Sequence, residues 1–465
     1  MELFSLPGLA SAIVDGDEVQ YINIGNAKSG VSVSEKTCFE IGSISKAVLH
    51  MTLVQQVERY PSDYFDKLIG SNITTHHLVT HGSGLAPLSG TMQAFLGFSE
   101  KSIIHSIPSH QNTAEPGEKF QYNNCAYWKL AELVDQKTNK PWQQVVFKNV
   151  LHPLGMSNSV YGKPDDNKLA RPYISDNDKN CFLENPSFSE GLLPAAGLWS
   201  TTEDLASFAQ FILNVNNPLS SNANDIFCEF QPVYNLPKTN TQSMLDEAYI
   251  TKGYGLGHFI VIPAYSDEDR IINFVGGTPG YSALVSCMPE YKKAIVMLTN
   301  KMSQSELLEY IACKSFEHLV QGGLKADLYQ FKQEKVHFKE KLRSQLTHKF
   351  AHKLPEYVRN KSLQAYNSKY GDIALLSDDR QIQLIFANGN KILLFGYDIN
   401  TKEIVSKNVN NYITEVFPKI NLYITNNSIS WCIWMANHRG DLIVYEQCQL
   451  FGSNHDPSSF TILTP

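Results

Sequence analysis

Phe39-Glu40-Ile41-Gly42-Ser43-Ile44-Ser45-Lys46 stands where the sequence changes period. Before it, residues 9–25 alternate apolar and polar side chains around Asp15-Gly16, which predicts a β-hairpin at the edge of a sheet. After it, Val48, Leu49, Leu53 and Val54 recur at helical spacing, which predicts a helix beginning near Ser43. Ser43 and Lys46 are three residues apart and share one face of that helix. A serine hydroxyl becomes a nucleophile only beside a base. A partly desolvated lysine amine is such a base when neutral, and it polarises the oxygen when charged. The helix N-terminus also turns backbone N–H groups toward developing negative charge. An isolated Ser-x-x-Lys is more often a helix cap than a catalytic pair, so the motif has to be weighed with its surroundings.

Outward from that point, residues 60–215 carry helical patterns broken by Gly and Pro, for example over 126–134 and 202–213. Strand patterns return over 254–262, 282–288 and 293–300, followed by a helical 303–320. A long α insertion between β segments predicts that both ends complete one sheet. Gly322-Gly323 opens a charged stretch to about residue 352, including Lys332, Glu334, Lys335, Lys339, Glu340, Lys341 and Arg343, which reads as a solvated helix or linker. Beyond it the pattern is strand-like. Ile382, Leu384 and Phe386 alternate before Asn388-Gly389, and Ile429, Trp431 and Ile433 alternate before Arg439-Gly440. A small antiparallel barrel or sandwich is predicted there. The 465 residues thus divide into 1–322, a linker or helix over 323–352, and an all-β domain over 353–465.

Composition narrows the class. Hydrophobic residues are 43% and charged residues 18%, an ordinary globular balance. The net charge of −7 gives no basic surplus for phosphates, so nucleic acid is not expected as a partner. The eight cysteines form no Cys-x-x-Cys pair and read as reduced, mostly buried thiols. Met1-Glu2, with Pro7-Gly8 soon after, shows no basic segment followed by an apolar run, and no membrane span is visible, so a cytoplasmic protein is expected, with export by a signal-independent route as the alternative. His76, His77 and His81 cluster in sequence without a matching carboxylate pair, and neither a metal nor a cofactor is expected.

The company of Ser43 decides its reading. Leu78-Val79-Thr80-His81-Gly82-Ser83-Gly84-Leu85 precedes Pro116-Gly117-Glu118-Lys119-Phe120-Gln121-Tyr122-Asn123-Asn124, and His152-Pro153-Leu154-Gly155-Met156 follows. Then come Pro194-Ala195-Ala196-Gly197-Leu198-Trp199-Ser200-Thr201-Thr202-Glu203-Asp204-Leu205, Tyr254-Gly255-Leu256-Gly257 and Gly276-Gly277-Thr278-Pro279-Gly280-Tyr281. In this order and spacing residues 7–320 resemble the serine β-lactamase and penicillin-binding-protein-like hydrolases, nearest their class C β-lactamase and esterase branch. The C-terminal block, around Tyr366-Asn367-Ser368-Lys369-Tyr370-Gly371-Asp372-Ile373, is similar to the lipocalin-like barrels appended to some members.

The resemblance implies an α/β (α+β) catalytic domain with a five-stranded type of antiparallel sheet flanked by helices, plus a helical subdomain. It implies Ser43 as acylated nucleophile, Lys46 as its proton partner and Tyr122 as a proton shuttle. Asn124 would hold Lys46 and the substrate carbonyl, and the N–H groups of Ser43 and Gly277 would form an oxyanion hole. A phenol would act as base near neutrality only beside a cation such as Lys46. Phe274, Gly276 and Thr278 would line the substrate site. One position departs from the family: Phe274-Val275-Gly276 stands where Lys-Thr-Gly or His-x-Gly is usual, so the cation that serves a substrate carboxylate is missing. The helix that commonly precedes the first strand is also not seen.

Gly-x-Ser-x-Gly, the nucleophile elbow of α/β-hydrolases, occurs nowhere. The expected function is acyl-enzyme hydrolysis of an ester, amide or lactam in a small-molecule or peptide substrate, with esterase or amidase/peptidase favoured. A β-lactamase or D,D-peptidase and a non-catalytic binding protein on the same fold are the alternatives.

Overall fold

The structure, a computed structural model, describes residues 2–56, 72–106, 113–176, 179–183, 189–215, 218–219, 232–236, 243–323, 326–345, 351–356, 359, 362–367, 371–386, 392–398, 401–407, 419–424, 429–436 and 442–451. It falls into two compact units, Met1–Ser89 with Gln111–Phe331, and Gly90–His110 with Lys332–Pro465.

The first unit is built on one antiparallel sheet. Its N-terminal hairpin pairs β1 (Gly8–Asp15) with β2 (Glu18–Lys28), and Asp15 faces Glu18 across a two-residue turn in which Gly16 takes the left-handed φ of 57°. The two-residue β3 (Val31–Ser32) lies outside β2. The buried helix α1 (Ile44–Gln56) follows, then α2 (Ala126–Thr138) and α3 (Thr202–Ile212). The remaining strands are β4 (Tyr234–Leu236), β5 (Tyr249–Tyr254), β6 (Phe259–Pro263), β7 (Ile271–Thr278), β8 (Tyr281–Met288) and β9 (Lys293–Thr299), before α4 (Ser305–Gln321). The sheet order is β3-β2-β1-β9-β8-β7-β6-β5-β4. The β1–β9 ladder, Leu9 opposite Thr299 through Asp15 opposite Lys293, joins the two ends of the segment as the sequence predicts.

Three expectations change. Among the described residues the sheet has nine strands instead of five: β3 and β4, of two and three residues, are too short to show a period in sequence, β7 was not among the strand patterns read, and one predicted strand divides. The strand predicted over 254–262 is two strands. Gly255 and Gly257 turn the chain between them, with the Gly255 N–H bonded to the His258 carbonyl at 2.9 Å and Gly257 at φ 89°. The hairpin also lies one strand further in than expected, since β3 pairs with the outer side of β2.

Packing follows from pattern. Every residue of β8 is buried, as a central strand covered on both faces requires, and its Ser282 and Ser286 hydroxyls are bonded to the Lys301 carbonyl and to Asn273 Oδ1. On one face Leu308 and Ala312 of α4 meet Leu284 and Met297. On the other lies α3, started by the Thr201 hydroxyl accepting the Asp204 N–H at 3.1 Å. Cys38, Cys125, Cys287 and Cys313 are free and buried.

The charged run is a helix, α5 (Leu328–Gln345), and Phe331 at its start stacks on Tyr310 at 4.7 Å. The second unit contains eight strands, β10 (Ser362–Asn367), β11 (Gly371–Ser377), β12 (Ile382–Phe386), β13 (Ile392–Tyr397), β14 (Ile404–Lys407), β15 (Lys419–Ile424), β16 (Ile429–Ala436) and β17 (Leu442–Phe451), each antiparallel to the next. Leu375, Leu384, Phe395, Leu422, Trp431 and Ile433 are buried in it. Trp431 packs on Phe386, which makes it core and not the wall of a cavity. The strands follow one another as an up-and-down meander, and no ladder joins β10 to β17 among the described residues. The turns predicted at Asn388-Gly389 and Arg439-Gly440 lie outside the described residues. Residues 90–110 belong to this unit, with Phe98 edge-on to Phe386.

Candidate active site

The nucleophile turn is clamped between two short segments. Phe39–Glu40 pairs with Leu198–Ser200, and the Ile41 N–H bonds to the Leu198 carbonyl at 3.0 Å. Gly42 then takes φ 55°, and α1 begins immediately after Ser43. The Ser45 hydroxyl, which could have competed as nucleophile, is buried and committed: it donates to the Gly42 carbonyl at 2.6 Å and accepts the Leu198 N–H at 3.0 Å. Ser43 is left open at the positive end of the helix.

Two proton-bearing groups converge on Ser43. Lys46 Nζ donates to Ser43 Oγ at 3.0 Å, and the Tyr122 hydroxyl donates to the same oxygen at 2.6 Å. Lys46 is buried, bonds also to the Ala195 carbonyl at 2.9 Å, and faces the rings of Tyr122 and Tyr127 at 4.9 and 5.3 Å. Burial pulls its amine well below the ordinary lysine range, and the helix N-terminus disfavours a cation in the same direction. Burial pushes the Tyr122 phenol up to about 12, against a smaller opposite effect of the hydrogen bond to Ser43. Burial therefore favours the uncharged form of both groups, the phenol and the amine. Of the phenolate and the hydroxyl, either of which could serve as the shuttle implied for Tyr122, burial favours the hydroxyl.

The strand beside the turn is β7. A Cβ on Gly276 would stand 1.9 Å from the Ile41 carbonyl oxygen and 3.3 Å from Ser43 N, and one on Gly42 would stand 2.6 Å from Gly277 N. Only glycines allow this approach, and it brings the main-chain nitrogens of Ser43 and Gly277 to one place. Gly277 is exposed in a strand that is otherwise buried or nearly so.

The other expected residues fall differently. Thr278 is buried, and its hydroxyl has no partner among the described residues. Asn124 is buried just before α2, and Lys46 bonds to Ser43 and to the Ala195 carbonyl. Phe274 is 2% exposed and meets the rings of Phe208 at 5.1 Å and His258 at 5.5 Å, so its ring is walled into the core. Sequence reasoning missed Ala195, Tyr127 and Gly42. Ala195 stood in a segment quoted for the resemblance, but a carbonyl acceptor, like the Tyr127 ring beneath an amine, leaves no residue-type signal. Among the described residues no group of His, Cys, Asp and Glu could hold a metal ion, and no helix is long and apolar enough to cross a membrane.

A family model described as Beta-lactamase matches residues 2–312. Penicillin-binding protein 4* of Bacillus subtilis (strain 168) is 24% identical over 349 residues, covering 68% of this chain and 72% of that protein. Among solved structures, an octameric penicillin-binding protein homologue from Pyrococcus abyssi is similar with a TM-score of 0.60 at 20% identity, over 93% of this chain and 95% of its own. A D-amino acid amidase from Ochrobactrum anthropi SV3, complexed with L-phenylalanine, is similar with a TM-score of 0.56 at 16% identity, over 68% and 94%. The chain belongs to the Beta-lactamase family and is a serine hydrolase of that family.

Proposed function

We propose that the protein hydrolyses a neutral ester or amide through an acyl-enzyme on Ser43. The observation that carries this reading is the convergence of Lys46 Nζ and the Tyr122 hydroxyl on Ser43 Oγ, at 3.0 and 2.6 Å. Ser43 Oγ bonds to the substrate carbonyl carbon as its proton passes to neutral Lys46 Nζ. The negative charge that develops on the carbonyl oxygen is met by the N–H groups of Ser43 and Gly277, donors that need no side chain. Collapse breaks the bond to the leaving alcohol or amine, which takes the Tyr122 proton while Lys46 returns one to Tyr122. Water then attacks the Ser43 ester and gives its proton along the same route. Ser43 Oγ leaves with a proton from Lys46, and the carboxylic acid is released. Asn124 and Thr278 complete the lining of the site, the latter through a buried hydroxyl with donor capacity to spare.

The substrate class follows from charge. Phe274-Val275-Gly276 carries no cation, so a substrate carboxylate lacks a charge-assisted hydrogen bond worth roughly 1.5–3 kcal/mol. Esters and amides without a critical carboxylate are therefore preferred, and the fold shared with a D-amino acid amidase agrees with an amide. A β-lactamase or D,D-peptidase is the second reading, favoured by the 24% identity to Penicillin-binding protein 4*. Matched kinetics on p-nitrophenyl esters, p-nitroanilides and a chromogenic cephalosporin separate the two. The preferred reading expects turnover of the esters or anilides with the cephalosporin poor. A cephalosporin turned over faster than either contradicts it, and no turnover of any of them would point to a binding protein on a hydrolase fold.

A further inference from the structure

We propose that His81 is a positioning residue for Tyr122, acting as a neutral hydrogen-bond acceptor that fixes the chain on both sides of the phenol. This rests on the hydrolase reading above. The His81 carbonyl accepts the Gln121 N–H at 2.8 Å, and His81 Nδ1 accepts the Asn123 N–H at 3.1 Å, so Tyr122 is bracketed by two bonds to one residue. The His81 ring lies 4.2 Å from the Tyr122 ring, 5.5 Å from Tyr127 and 5.1 Å from Tyr254, with Phe120 edge-on at 5.8 Å. Tyr122 and Tyr127 are the two rings that Lys46 Nζ faces. One imidazole thus supports both aromatic walls of the amine.

The surroundings make the bracket stiff. His81 has φ 58°, a left-handed conformation that few non-glycine residues adopt. Its turn is laced to the Tyr122 segment by the Gly117 N–H on the Gly82 carbonyl at 2.7 Å and the Thr113 N–H on the Gly84 carbonyl at 2.8 Å. Accepting at Nδ1 places the ring proton on Nε2. Nε2 has no hydrogen-bond partner among the described residues. Burial, and after it the neighbouring Lys46, holds the ring well below the ordinary histidine range. A cation here would oppose protonation of Lys46 during acylation, and a neutral acceptor does not.

The test compares parent, His81→Gly and His81→Asn. Glycine tolerates the backbone and removes the ring. Asparagine tolerates it and offers Oδ1 close to where Nδ1 stood. Readouts are the rate of Ser43 labelling by a fluorophosphonate, kcat and KM on a p-nitrophenyl ester, the pH profile and the melting temperature. His81→Gly is expected to lower labelling and kcat on the order of 10-fold to 100-fold, with KM within about threefold. His81→Asn is expected to recover most of the loss with the parental pH profile, since it replaces a ring that does not titrate. Parental kcat in His81→Gly overturns the proposal. So does an Asn variant as slow as the Gly variant with an unchanged melt, which would give the ring a proton to move. Should His81→Gly not fold, the Asn variant decides alone: parental rate and profile support the proposal, and a loss overturns it. A parent that is not labelled at all overturns the hydrolase reading itself, and the inference with it.

Discussion

Gly276 lies so close to Ile41 that a Cβ on it would stand 1.9 Å from the Ile41 carbonyl oxygen, whereas the first atom a Cβ on the adjacent Gly277 would meet is Ser305 Oγ at 3.7 Å. The first distance is impossible and the second is ordinary contact. Gly276→Ala should therefore push β7 away from the nucleophile turn, separating the N–H groups of Ser43 and Gly277. A loss on the order of 100-fold in kcat is expected, the scale of removing one oxyanion donor. Gly277→Ala should keep activity within about tenfold, because the donor is main chain. Ester kinetics on both variants check this, and equal losses would mean that the glycines matter for a reason other than this approach.

Lys46 costs the fold stability in exchange for chemistry. Its amine is held well below its ordinary value of 10.5, so at intermediate pH the unfolded chain binds a proton that the native state does not. Stability must then rise with pH between the folded value and 10.5. The destabilisation is full below the folded value and disappears as pH approaches the unfolded one. Lys46→Met should abolish turnover while raising the melting temperature near neutrality by about 2 °C or more. The gain should shrink as pH rises toward 10, and a constant gain would mean that the amine is charged in the folded protein.

Phe274 tests the account of substrate charge from the other side. Its ring is enclosed by Phe208 and His258, so Phe274→Lys buries an ammonium with no carboxylate in view. A destabilisation of about 2–5 kcal/mol is expected, with an unchanged ratio of carboxylated to neutral substrates. A shift of that ratio by tenfold or more, with the melt preserved, would show that position 274 reaches the substrate after all.

These cases show what was legible in the sequence. The convergence of Lys46 and Tyr122 on Ser43 matches the place that the resemblance implied for these motifs, and Gly276-Gly277 stood in a quoted motif whose close approach to Gly42 and Ile41 only the structure displays. The β1–β9 closure was readable because strand patterns stand on both sides of a long helical block. Ala195 was not, since any residue supplies a carbonyl, and the position of Phe274 was not, because a strand pattern assigns it a face without saying how deep that face lies. Residues 90–110 read as part of a helical middle, and nothing in their period says that Phe98 meets Phe386, almost three hundred residues away.

That grouping bears on how the chain can be divided. Phe331 is buried against Tyr310, so a chain ending at residue 322 loses a core ring, and we expect Phe331→Ala in the full chain to cost about 3–5 kcal/mol. Removing residues 332–465 also leaves Phe98 without Phe386. Limited proteolysis and solubility of a chain ending at residue 331 check this: a soluble, fully active product would show that residues 90–110 do not depend on the C-terminal strands.

The central claim is that Ser43 alone is acylated. Intact mass after exposure to a fluorophosphonate, followed by peptide mapping, measures it most directly. The account predicts a single adduct on the peptide carrying Ser43, absent in Ser43→Ala and slow to form in Lys46→Met. An adduct that persists in Ser43→Ala, or one mapped to another serine such as Ser45 or Ser83, would contradict it.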